Sequence, residues 1–257
     1  MKIAIAGKGG VGKTTVTAFL AKAFAGAGNK VFCIDADSNP NLAYALGFPD
    51  AVNITPISEM RKLIEERMET NLDNFGTFFK LNPKVDDIPD KFKVTHKGIT
   101  LVNMGGIVRG GGGCACPQNT FVKALVGYIV LNTGDVLLMD MEAGVEHLGR
   151  STVQNVDCIV VVVEPGYASL NAAHRIKKLA QEIGVKKIFA IANKVRSEKD
   201  KEMIKTELKE IKILGFIPYS NEIIDNAVVN RTGILPVNLV DNIINTITNE
   251  LNNCCSR

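Results

Sequence analysis

The nine residues Gly7-Lys8-Gly9-Gly10-Val11-Gly12-Lys13-Thr14-Thr15 follow directly on the run of small and β-branched residues Lys2-Ile3-Ala4-Ile5-Ala6. Few folds accommodate that order. The first run reads as a buried strand, and the glycines supply the positive φ angles of a tight loop. Residues 16–27, with Ala and Leu, read as a helix closed by Gly28-Asn29. A strand, a glycine-rich loop and a helix N-terminus in this order make a phosphate-binding loop, in which backbone N–H groups converge on an anion and the helix end adds partial positive charge. Gly9, Gly10, Val11, Gly12 and Thr15 belong to that cradle, Lys13 places a point charge on the β- and γ-phosphates, and the Thr14 hydroxyl suits Mg(II). The expected ligands are ATP and ADP with Mg(II).

Further along, Lys30-Val31-Phe32-Cys33-Ile34 reads as a second strand that delivers Asp35 and Asp37 at its carboxyl end. Residues 58–69 carry helical spacing, with Ser58 as the expected N-cap. Residues 70–97 hold Pro83 and Pro89 and are the least periodic; they read as an irregular insertion ending in a hairpin through His96-Lys97-Gly98 into a strand at 99–104. A glycine-rich stretch from 105 leads to Cys114-Ala115-Cys116-Pro117 and a helix at 120–131. Apolar runs at 136–141, 158–163, 187–192 and 213–217 look like strands buried on both faces, with helices near 170–184 and 198–211. Strands alternating with helices predict an α/β fold: one domain over 1–257 with a doubly wound, mostly parallel sheet flanked by helices. Ligands of such sheets lie beyond the strand carboxyl ends.

A formal charge of +3 without a basic block gives no indication of nucleic acid or of an anionic membrane surface. The longest apolar run, 158–163, is far below the roughly 20 residues that span a bilayer. With a strand at the very start in place of a signal peptide, a cytoplasmic protein with reduced thiols is expected. Cys33 and Cys158 lie within apolar strands and read as core. Cys254-Cys255 sit in the tail, and His96 and His174 have no ligand spacing.

Cys114 and Cys116 differ. Two residues apart in extended chain, both thiolates face one way. Two sulfurs do not complete the four ligands common for Zn(II) or for thiolate-bound Ni(II). A two-fold axis between two copies of the loop would supply the other pair, and so a homodimer. A pair of small buried residues and a strained i,i+2 disulfide are the alternatives.

Lys8 also asks for a partner, since an ordinary phosphate loop does not require it. Such a lysine reaches a nucleotide held by a facing subunit, as an arginine finger does, unless it is simply solvated. With its Lys-Gly-Gly-x-Gly-Lys-Thr-Thr string, the sequence resembles the signature-lysine (deviant Walker A) ATPases, P-loop dimers that include the nitrogenase iron protein and the septum-positioning and plasmid-partition ATPases. The resemblance implies that Asp37 positions or activates the attacking water, that Asp35 lies near the Mg(II) shell, and that Asp140 is the Mg(II)-linked switch aspartate. It also implies base recognition by Asn193-Lys194. His147, soon after Asp140, belongs either to that switch or to a solvated turn.

More narrowly, Cys114-Ala115-Cys116-Pro117 together with Asp140-Met141-Glu142-Ala143-Gly144-Val145-Glu146-His147-Leu148-Gly149-Arg150 resembles the carbon monoxide dehydrogenase accessory ATPases. That resemblance implies capture of Ni(II), with Zn(II) as an in vitro substitute, and its insertion into the nickel–iron–sulfur site of carbon monoxide dehydrogenase or acetyl-CoA synthase. Other readings are an iron–sulfur-bridged ATPase similar to the nitrogenase iron protein, disfavoured because no cysteine lies between Cys116 and Cys158, and a nucleotide-gated metal-binding scaffold. Residues 237–251 contain no Lys or Arg for a membrane surface. Residues 198–212 balance five lysines with five acids and read as a solvated face, not a DNA surface.

Overall fold

The computed structural model describes residues 1–73, 78–106, 117–142, 155–223 and 237–252, the last without the side chains of 237 and 238. Cys114, Cys116, His147, Cys254 and Cys255 lie outside the described residues. The strands are β1 (Lys2–Ala6), β2 (Val31–Ala36), β3 (Val94–His96), β4 (Ile99–Asn103), β5 (Val136–Met141), β6 (Cys158–Val163), β7 (Ile188–Val195) and β8 (Lys212–Pro218). They form one sheet in the order β3-β4-β2-β5-β1-β6-β7-β8. All pairings are parallel except β3 with β4.

Alternation along the strands sorts the core into two layers. Ile3, Ile5, Cys33, Leu138, Val160 and Val162 point to one face, against Phe19 and Leu20 of α1 (Lys13–Gly26), Leu42 of α2 (Leu42–Leu46) and Ile243 of α8 (Val237–Asn252). Ala4, Ala6, Ile34, Met139, Ile159 and Val161 point to the other. There they meet α3 (Arg61–Met68), α4 (Ile88–Phe92), α5 (Pro117–Asn132), α6 (Tyr167–Glu182) and α7 (Glu198–Glu207), with Phe121 fully buried. Because both faces are covered, β5 and β6 are buried at every position, Asp140 of β5 included.

Two local details depart from expectation. Ser58 is not the cap of α3: residues Ile57–Glu59 form a separate 3₁₀ turn, and the Ser58 N–H donates to Met104 O at 3.0 Å. Within 70–97, α4 is ordered around Ile88, and Arg67 grips Asp87 with two hydrogen bonds of 2.9 and 2.8 Å. The expected hairpin is present, with Lys97 and Gly98 at φ 48° and 77°, the signs of a type I′ turn.

Candidate functional site

Five neighbouring strands, β2, β5, β1, β6 and β7, end at one edge of the sheet, and each delivers a polar residue there: Asp35, Asp140, the phosphate loop, Glu164 and Asn193. The loop turns into α1 at Gly12, whose φ of 94° belongs to the left-handed region. A Cβ at this position would lie 2.4 Å from Asn193 Nδ2, so glycine is required by space as well as by conformation. Val11 is fully buried beneath the loop, and Lys13 is only 6% exposed, its ammonium 3.5 Å from Lys8 O. Lys8, Gly9 and Gly10 are exposed.

Asp140 closes the site from β5. It is 1% exposed, and its carboxylate accepts hydrogen bonds from the Thr14 hydroxyl and, at 3.4 Å, from Thr17 Oγ1. Thr17 also donates to Lys13 O at 2.9 Å. Burial and, secondarily, the neighbouring Asp35 push the Asp140 carboxyl up to about 7, against the pull of Thr14 and Lys13. Among the described residues Asp140 Oδ2 has no hydrogen-bond partner. A buried, unsatisfied hard oxygen beside the Thr14 hydroxyl is the donor chemistry that suits Mg(II), so these residues fit that ion.

Asp35 is placed differently. Its Oδ1 accepts from Asp37 N–H at 3.2 Å and its Oδ2 from Leu42 N–H at 2.8 Å. Burial raises its pKa to about 6 in spite of those bonds. With both oxygens engaged by backbone, Asp35 shapes the turn after β2 and satisfies the first N–H of α2. Asp37, half-buried, accepts Asn39 N–H at 2.9 Å.

The expected base-reading pair lies against the loop itself. Asn193 Nδ2 donates to Val11 O at 2.8 Å, and Lys194 Nζ donates to Gly10 O at 2.6 Å and to Glu164 Oε2 at 2.9 Å. Glu164 and Thr17 were not singled out by motif. Glu164 follows β6 at a strand carboxyl end, the same signal that marks Asp35 and Asp140.

Cys33 and Cys158 are core residues, fully buried, and burial pushes both thiols up, Cys158 to about 12. Among the described residues no group of three or more His, Cys, Asp or Glu is arranged to hold a metal ion. The chain entering the Cys-x-Cys segment is described as far as Gly106, and there it lies against the Asp37 turn: a Cβ on Gly106 would be 2.3 Å from Ser38 Cα.

A phosphate loop between β1 and α1, with an unsatisfied aspartate from the adjoining parallel strand, makes this a P-loop nucleotide hydrolase. The model of the CobQ/CobB/MinD/ParA nucleotide binding domain matches residues 2–232, and the chain belongs to that family of ATPases. It is 44% identical over 225 residues to the carbon monoxide dehydrogenase accessory protein CooC of Rhodospirillum rubrum, covering 87% of this chain and 85% of that protein, which places it with the CooC-type ATPases. An uncharacterised ATP-binding protein of Methanocaldococcus jannaschii is 44% identical over 242 residues, 93% of this chain and 91% of that one. The fold is shared with the septum site-determining protein MinD of Pyrococcus horikoshii, solved with Mg-ADP, at a TM-score of 0.67 and 21% identity over 95% of this chain and 94% of that one. Among the described residues no helix is long and apolar enough to cross a membrane.

Proposed function

We propose that this ATPase dimerises on ATP, captures Ni(II) between Cys114 and Cys116 of two subunits, and releases it after hydrolysis to a nickel–iron–sulfur client, carbon monoxide dehydrogenase or acetyl-CoA synthase. The observation that carries the reading is the 44% identity to CooC in a chain with its own Cys114-Ala115-Cys116. Two thiolates per chain make half of a four-ligand site, and the exposed Lys8 offers its charge to a second subunit.

Lys13, buried in the loop, neutralises the β- and γ-phosphates, while Thr14 and Asp140 hold Mg(II), directly or through water. Bound Mg(II) supplies charge compensation for the triphosphate. Asp37 orients the attacking water as an acceptor, and Lys8 of the facing subunit stabilises charge on the transferred group. Asp35 acts at one remove, through the turn that carries Asp37. Phosphoryl transfer asks for little more than such positioning and charge.

The test is metal stoichiometry and molar mass of the purified chain, alone and with ADP or ATP. One nickel per two chains, and a dimer with ATP and metal, is the expected result; Cys114→Ala with Cys116→Ala should remove the metal and retain basal hydrolysis. One nickel per chain in a protein that stays monomeric with both ligands would overturn the reading. An iron–sulfur cluster would show instead as visible absorption with iron and acid-labile sulfide.

A further inference from the structure

A phosphate loop has outward carbonyls as well as inward N–H groups, and in this chain one other strand, β7, holds two of the carbonyls, braced by Glu164 from the end of β6. Lys194 reaches Gly10 O at 2.6 Å, Asn193 reaches Val11 O at 2.8 Å, and Glu164 holds the Lys194 ammonium at 2.9 Å. In a planar trans peptide the C=O and the following N–H point in opposite directions. Fixing Gly10 O therefore fixes the direction of Val11 N–H, and fixing Val11 O fixes that of Gly12 N–H. In this structure the Val11 N–H lies 3.5 Å from Lys8 O.

The backbone around the clasp supports the same conclusion. Lys194 adopts a φ of 58°, a left-handed conformation that a non-glycine residue takes at an energetic cost and keeps only where its surroundings impose it. Here the imposed result is an ammonium set over the loop apex. The Asn193 amide occupies the space that a side chain at residue 12 would need, and Asn193 is only 8% exposed. One N–H of its amide is engaged by the loop, which ties the side chain to Val11 O and leaves the second N–H and Oδ1 for other partners.

We infer that Asn193, Lys194 and Glu164 form a clasp that aims the N–H groups of the phosphate loop, and that these three are positioning residues for the polyphosphate of the nucleotide. The inference rests on the chain being an ATPase and is independent of nickel. Glu164 contributes by holding Lys194 over Gly10 and by balancing its charge, which would otherwise add to that of Lys13 near the loop. The ligand class the clasp serves is any polyphosphate with the spacing of a nucleoside triphosphate, whatever its base.

Binding of inorganic tripolyphosphate, ATP and GTP by calorimetry separates positioning from base reading. In Lys194→Met and Asn193→Ala, tripolyphosphate and ATP should weaken by the same factor, on the order of tenfold for Lys194→Met, which loses a charge-assisted hydrogen bond. In Lys194→Met the ratio of ATP to GTP affinity should stay at its parental value. Glu164→Gln should shift both ligands the same way by a smaller factor, and Lys194→Arg should restore most of the loss. A pair that reads the base would leave tripolyphosphate untouched while ATP weakens and the ATP-to-GTP ratio collapses, and that result overturns the clasp. Unchanged affinity for all three ligands overturns it equally. The partly exposed Glu164→Gln carries the test by itself should Lys194→Met fail to fold.

Discussion

Asp35 and Asp140 are register partners on the adjacent parallel strands β2 and β5, and each is 1% exposed, so two buried carboxyls leave the same face of the sheet side by side. Burial raises both, Asp140 to about 7 with the charge of Asp35 adding to it, and Asp35 to about 6 with the charge of Asp37 adding to it. The folded chain therefore holds protons that the unfolded chain, with carboxyls near 3.8, has already released. For a group raised in the fold, the stabilisation is complete below the unfolded value and is lost as pH climbs through the folded one. In EDTA and without nucleotide, Tm should fall between about pH 4 and about pH 7. Asp140→Asn should flatten that fall, and Mg(II) with ADP, which favours the ionised carboxylate, should offset part of it. Melts across the pH series check this; a slope unchanged in Asp140→Asn would refute the assignment.

Lys8→Ala should abolish hydrolysis and keep nucleotide affinity, because the buried Lys13 and the loop are intact. Mixing it with Asp37→Ala gives the sharper measurement. In the mixed dimer the Lys8→Ala subunit retains its own Asp37 and receives Lys8 from its neighbour, so hydrolysis absent from each variant alone should reappear. Activity that never returns on mixing would remove the role in trans.

Gly12→Ala places a methyl at φ 94° and 2.4 Å from the Asn193 amide. The backbone conformation alone costs about 1–3 kcal/mol in a non-glycine residue. The substitution should lower Tm and drive Asn193 off Val11 O, weakening ATP well beyond what the loss of stability explains. Calorimetric titration at a temperature where the variant is folded provides the check; parental ATP affinity in the folded variant would show that the Asn193 contact is dispensable.

Much of this site is legible in the chain as written, because strand alternation and strand-end polar residues are local signals. Lys13, Thr14, Asp37 and Asp140 are marked by their place after an apolar run, and all four gather at the expected edge of the sheet. What escaped is set by partners remote in sequence. Glu164 acquires meaning only through Lys194, thirty residues on, and Thr17 only through Asp140. Ser58 has the local look of a helix cap, yet Met104 O captures its N–H from across the domain. Asp35 also takes the first N–H of α2, a helix of five residues with almost no periodic signature, so its part in the turn after β2 shows only in the fold.

The seating of Gly106 on Ser38 has a mechanical corollary. Met104 N–H is tied to Asp35 O, so the peptide leaving β4 is held to β2 on one side and lies close against Ser38 on the other. No slack separates the two segments. Gly106 therefore acts as a spacer: a side chain at that position would have to push Ser38, and with it the turn after β2, out of its present place.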